Sequence, residues 1–545
     1  MKEFMLEGMI CCPVSKRIFP GIIKVEGQII TDIIETNDIK SKNYILPGLV
    51  DSHVHIESSM LAPSEFARAA VVHGTVATVS DPHEIANVCG IDGVKFMLEN
   101  GESVPFKFNF GAPSCVPATT FESAGAVVDA QQIDELLSDS RIKYMSEMMN
   151  FPGVLYDFPD VTEKINIAKK HNKPIDGHAP GLKGELAQKY ISAGITTDHE
   201  CYMIEEAIDK INYGMKILIR EGTAAKNFET LHSFLTSHPD SCMLCSDDKH
   251  PDDLLVGHIN KIMSRAVAKG HDFFNVLRAA TFNPVKHYNL EVGLLQQDDF
   301  ADIVVVKDLE YFDIIQTYIN GDLVAENGFS LINKVDFEPI NKFSCEYKQP
   351  EDFTVYADKD AVVNVIEAID GELITNRIEH ELKSENGKLS CDLENDVLKI
   401  TVVNRYDNSI PHCGFIKNFG LKSGAVASSI AHDSHNIIAI GTNDKDLCDA
   451  VNLIIQHKGG IAVTDKGDST VLPLPLAGLM SIDDAQTTAE KYKLLNQRVK
   501  ELGSQLHSPF MTLSFMALLV IPSIKLSDKG LFDGRKFEFI DLIAG

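Results

Sequence analysis

Between Leu46 and about Pro284 the chain repeats one theme, a short apolar run ending in polar residues and then a stretch with helical periodicity. The strand-like runs end at His53–Glu57, Val79–Glu84, Phe108–Pro113, Tyr144–Asn150, Ile175–His178, Thr196–Glu200, Ile217–Gly222 and Met243–Asp248. Helical patterns separate most of them, among them Pro63–His73, Glu163–His171, Gly184–Ala193 and Glu205–Asn212. Eight alternations in about 240 residues match an α/β fold of the (β/α)8, TIM-like barrel type in count and length. The polar clusters fall where strands finish, which is the catalytic face of such barrels.

At 545 residues the chain exceeds one ordinary core. Residues 1–46 and 286–340 carry short β-like runs with turn signals, such as Gly21–Val25, Ala301–Val306 and Thr317–Asp322. We expect them to pair as the two parts of a small β domain flanking a barrel of residues 47–285. Residues 341–545 read as an additional C-terminal α+β domain, with a strand at Val397–Val403 and a helix near Asp483–Leu502.

The end of the first strand is Asp51-Ser52-His53-Val54-His55-Ile56-Glu57. Alternation along a strand sends His53 and His55 to one side, about 6–7 Å apart, where two imidazoles can chelate one divalent ion. Glu147 comes from the end of the fourth strand, His178 from the fifth, His199 from the sixth and Asp247 from the eighth. Four histidines and two carboxylates suit two borderline divalent ions sharing a bridging carboxylate. Such a pair lowers the pKa of a shared water into the physiological range. Asp247 is then placed to accept the water proton and pass it to a leaving group. Cys242-Met243-Leu244-Cys245 has ligand spacing, but it stands in a strand-like run without a second pair and reads as packing.

A net charge of −28 argues against nucleic-acid and anionic-membrane partners, though not against a small substrate. Eleven cysteines without a framework fit a reducing cytoplasm. Met1-Lys2-Glu3-Phe4-Met5 lacks the order of a signal peptide, and the apolar stretch Phe510–Ile524, interrupted by Pro522, reads as core.

Longer strings carry a family resemblance. Pro47-Gly48-Leu49-Val50-Asp51-Ser52-His53-Val54-His55-Ile56-Glu57-Ser58-Ser59-Met60 and Asp81-Pro82-His83-Glu84-Ile85-Ala86-Asn87-Val88 resemble the bacterial adenine deaminases of the amidohydrolase superfamily. Asp176–Gly181, Thr197–Glu200 and Cys245–Asp248 resemble them too, as do Ser428–Asn436 and Leu472–Met480, so the likeness covers nearly the whole chain. It implies hydrolysis of adenine to hypoxanthine and ammonia in purine salvage, with two divalent ions, manganese or iron, zinc being admissible. It also suggests a homodimer. The alternative within the superfamily is a cyclic-amide hydrolase acting on dihydropyrimidine or hydantoin rings. Many relatives bridge the ions with a carbamylated lysine on the fourth strand; Lys143 is nearby, but the resemblance favours Glu147.

The implied chemistry is attack of hydroxide on C6, a proton for N1, and departure of ammonia, with Asp247 the candidate for the last proton. For N1, Glu57 is favoured over Glu84 and Glu200, because continued alternation would put it on the face of His53 and His55. Alternation would turn Glu200 away from His199 unless the strand has already ended. His83 contacts substrate or supports the metal shell, and a plain loop histidine is an equal reading. Asp248 is second to Asp247. His432-Asp433-Ser434-His435 is a ligand cluster by residue type, with its role open.

Overall fold

The computed structural model describes residues 3–223 and 225–544. They divide into two compact units, residues 1–83, 95–115 and 129–337 in the first and 84–94, 116–128 and 338–545 in the second.

The first unit contains eight parallel barrel strands: β1 (Leu49–Val54), β2 (Thr75–Ser80), β3 (Lys107–Ala112), β4 (Ile142–Met148), β5 (Ile175–Gly177), β6 (Thr197–Asp198), β7 (Lys216–Arg220) and β8 (Cys242–Cys245). β1 to β5 form one curled parallel arc and β6 to β8 another. Thr196 N donates to Ile175 O at 2.8 Å beside the β5–β6 seam, and Asp247 N donates to His53 O at 2.9 Å beside the β8–β1 seam. β1, β2 and β8 are buried along their whole length, as expected of parallel strands covered on both faces. Helices Pro63–Ala70, Pro159–Lys170, Gly184–Ser192 and Ile204–Asn212 alternate with the strands. Cys242 and Leu244 pack with Ile217, Ile219, Phe228 and Met263 in one apolar core. The first unit also carries an eight-stranded sheet in which Ile303–Val306 pairs antiparallel with Tyr44–Pro47, joining segments from both ends of the barrel sequence.

The second unit is built on a sheet of eight strands, with Val397–Val403 between His412–Lys417 and Ile437–Gly441. Helix Asp444–His457 begins at Asn443, whose side chain accepts from Asp446 N, and packs Leu447, Val451 and Ile454 onto Ala425, Ala427 and Ala439. A second helix spans Ala485–Glu501. The apolar stretch after residue 509 forms the buried helix Pro509–Phe515. Among the described residues no helix is long and apolar enough to cross a membrane, and all eleven cysteines are free.

Candidate metal centre

The barrel strands deliver their polar ends to one buried cluster. β1 supplies His53, and the chain leaves the strand at His55 before the tight turn Ile56–Ser59. His53 Nε2 lies 3.5 Å and His55 Nε2 3.2 Å from Asp247 Oδ1. Asp247, just past β8, has the left-handed φ of +52°.

Glu147 near the end of β4 turns its two oxygens to different partners. Oε1 lies 3.5 Å from His55 Nε2 and 3.6 Å from His83 Nδ1. Oε2 lies 2.9 Å from His178 Nδ1 and 3.2 Å from His199 Nε2. His53 and His199 stack with ring centroids 4.0 Å apart. These donors form interlocking sets within 4.8 Å of one another: His53, His55 and Asp247; His53, Glu147 and His199; His55, Asp81, His83 and Glu147; His178, His199 and Glu200. All are buried except the half-buried His178. Neither ring nitrogen of His53 makes a hydrogen bond among the described residues.

The surrounding residues fix these positions. Asp51 Oδ1 accepts from Ser246 N at 3.0 Å, and its Oδ2 lies 2.8 Å from His258 Nε2, tying β1 to the exit of β8. Tyr190 donates to Met148 O at 2.7 Å and accepts from His178 N at 3.1 Å, linking the ends of β4 and β5. Lys210 Nζ donates to Ala179 O, Asp198 Oδ2 and Glu206 Oε1 at 2.7, 2.8 and 2.7 Å. Asn227 donates to His199 O at 3.0 Å and accepts from Arg220 N at 2.7 Å.

Electrostatics follow from burial in a charged cluster. Desolvation opposes ionisation of Glu147, but His178 and His199 outweigh it and hold its pKa well below the carboxylate range. Desolvation likewise opposes ionisation of Asp247, and Arg220 with His53 and His55 brings it well below that range. His178 is pushed up to about 9: burial lowers it, and the charges of Glu200 and Glu147 more than compensate. The site is thus polarised into fixed anions and imidazoles in a low-dielectric interior.

Of the residues expected from sequence, the structure brings His53, His55, His83, Glu147, His178, His199 and Asp247 together. Glu57 is fully buried, but the extended backbone ends at His55 and the turn Ile56–Ser59 follows, so the strand face that would have paired Glu57 with His53 and His55 is not formed. Lys143 lies 3.9 Å from Glu291, outside the cluster. Asp248 accepts from Ser58 Oγ at 2.6 Å. Glu200 enters because β6 has ended two residues earlier; its Oε1 lies 3.5 Å from His199 Nε2. Sequence reasoning missed Arg220, whose Nη1 bonds both Glu200 and Asp247. Its signal was a lone arginine closing the apolar run of β7 at the catalytic end.

Residues 44–324 match the amidohydrolase family, and residues 372–538 match the adenine deaminase C-terminal domain. The chain belongs to the amidohydrolase family. Adenine deaminases are among the relatives it is similar to. It is 52% identical over 557 residues to that of Methanosarcina mazei, with all of both chains covered. It is 54% identical over 529 residues to that of a Sulfurovum species, with 97% of each chain covered. It is 48% identical over 553 residues to that of Borreliella burgdorferi, covering 99% of this chain and 100% of the relative.

Proposed function

We propose that this chain is an adenine deaminase, converting adenine and water to hypoxanthine and ammonia with two divalent ions. One observation carries the reading: 52% identity to an adenine deaminase over the full length of both chains. The match of residues 372–538 to the adenine deaminase C-terminal domain weighs against a cyclic-amide hydrolase.

The donor chemistry fits the ions. Buried histidines and carboxylates converge, the ring nitrogens of His53 make no hydrogen bond among the described residues, and Glu147 faces separate histidines with separate oxygens. His53, His55, Glu147, His178, His199 and Asp247 would hold the pair; such a donor set accepts Mn2+, Fe2+ or Zn2+, and the resemblance to adenine deaminases favours the first two. When bound, the ions supply acidification of a water and stabilisation of negative charge.

The protein's own groups do the rest. Asp247, kept ionised by Arg220, is in the form that accepts the proton of the attacking water and delivers it to the departing amine. Glu57, fully buried in the turn directly after His55, is assigned the proton for N1 on that placement and not on strand alternation. His83, 3.2 Å from Asp81 Oδ2 and 3.6 Å from Glu147, is assigned to orient the substrate-facing side of the cluster. The proposal places catalysis in the barrel of residues 47–285, flanked by residues 1–46 and 286–340 with residues 341–545 as an additional domain. It includes a cytoplasmic homodimer acting on a small purine.

The test is ammonia release with the ultraviolet shift from adenine to hypoxanthine, using Mn2+-loaded and chelator-treated protein. Metal-dependent turnover is expected. Metal-loaded protein that opens cyclic amides and leaves adenine intact would overturn the reading.

A further inference from the structure

The second unit holds a donor cluster of its own. Ligand atoms of Glu84, His432 and His435 lie within 4.8 Å of one another, and all three residues are buried. His432 Nδ1 is 3.7 Å from Glu84 Oε1 and 3.5 Å from Asp433 Oδ1. A direct N–H···O bond would close to about 2.7–3.2 Å. Donors sharing one tetrahedral ion through bonds of about 2.0–2.1 Å stand roughly 3.3 Å apart. The observed separations are compatible with two ligands of one ion.

The loop carrying the histidines is held from several sides. Phe515 stacks on His432 with centroids 4.8 Å apart and planes at 16°. His435 has a left-handed φ of +53°, uncommon for a non-glycine residue. Its N donates to Ala431 O at 2.7 Å, and its carbonyl accepts from Arg405 Nη1 at 3.2 Å. Asn436 donates to Ser123 O at 2.9 Å, and Tyr406 donates to Ser434 O at 2.6 Å. A strained residue held in place by its surroundings is a mark of functional loops.

Glu84 and Asp433 are 1% and 4% exposed, so an ion held there would be shielded from water.

We propose that Glu84, His432 and His435 form a third divalent-cation site of the zinc-binding class, with Asp433 the nearest candidate for a fourth ligand. Two neutral imidazoles and one carboxylate are a common zinc donor set. The ion would fix the segment Ser428–Asn436 to Glu84 inside the second unit. The proposal is independent of the deaminase reading.

The test is metal counting and location on the intact chain, stripped with a chelator, reloaded with Zn2+ and dialysed. Three ions per chain are expected by mass spectrometry, falling to two in H432A and in H435A. E147Q should weaken binding in the barrel and leave the third ion in place. A variant that misfolds does not decide the matter, because wild-type crystals give a second measurement. Anomalous scattering at the zinc edge should show a peak among Glu84, His432 and His435. No peak there, whatever the total count, overturns the proposal. A peak there without peaks in the barrel would sustain it while removing the metal reading of the first unit.

Discussion

Arg220 reaches Asp247 Oδ2 through Nη1, and the same nitrogen bonds Glu200 Oε1. One guanidinium therefore orients the ends of β6 and β8 together, with Asp247 Oδ1 left facing His53 and His55. R220Q should lower kcat about 10²-fold through misplacement of Asp247, the usual scale for losing a group that orients a metal ligand. R220K should not restore it, because an ammonium lacks the planar fork. D247N should cost more, about 10³-fold or beyond, since proton transfer and a ligand vanish together. Steady-state rates with metal content measured alongside check both; R220Q within twofold of wild type would remove the clamp from the account.

Glu147 is the only side chain whose two oxygens are divided between the His55–His83 side and the His178–His199 side of the cluster among the contacts described above. E147Q replaces one of those oxygens with a donor that repels a cation. We expect the barrel's capacity to drop from two tightly held ions to one or none, with deaminase activity lost in step. Equilibrium dialysis with Mn2+ reads this directly, and an unchanged count of two would show that Glu147 does not bridge.

Lys210, Asp198 and Glu206 all have zero exposure. Burial pulls Lys210 towards neutrality, but Asp198 and its neighbours hold its pKa above the ordinary lysine value. K210M would strand two buried carboxylates and the Ala179 carbonyl, so it should cost about 3–5 kcal/mol. Urea unfolding measures it. A loss below about 1 kcal/mol would mean the carboxylates find other compensation.

The barrel was legible because its parallel strands are buried on both faces and end in polar clusters, a pattern periodicity reads well. β1 shows where local reading stops. Its alternation placed His53 and His55 but could not foresee the turn at Ile56–Ser59 that takes Glu57 out of phase, since the turn is set by backbone bonds such as Met60 N to Glu57 O. Glu200 shows the converse, entering because β6 is only two residues long. Arg220 and Lys210 escaped notice for a different reason. Arg220 pairs with Glu200 and Asp247, 20 and 27 residues away, which no spacing rule reports; Lys210 has an i,i+4 partner in Glu206, but its pairing with Asp198 joins a helix to a strand.

Lys525 offers a test of burial energetics away from the barrel. It is fully buried, and its Nζ donates to Leu373 O at 2.6 Å and Phe515 O at 2.9 Å, while desolvation brings its pKa down to about 7. An unfolded chain would hold that proton to about pH 10.4. Between those values the unfolded state carries the extra proton, so stability rises with pH across about pH 7–10, by up to ~1.4 kcal/mol per unit from this group. Below pH 7 both states are protonated and the contribution is flat. K525M keeps a flexible chain of similar length without the titrating nitrogen, and should remove that slope while the two carbonyls lose their donor. Denaturant unfolding of both proteins at pH 7, 8.5 and 10 checks it; equal slopes would place the pH dependence elsewhere and show that Lys525 stays charged in the folded chain.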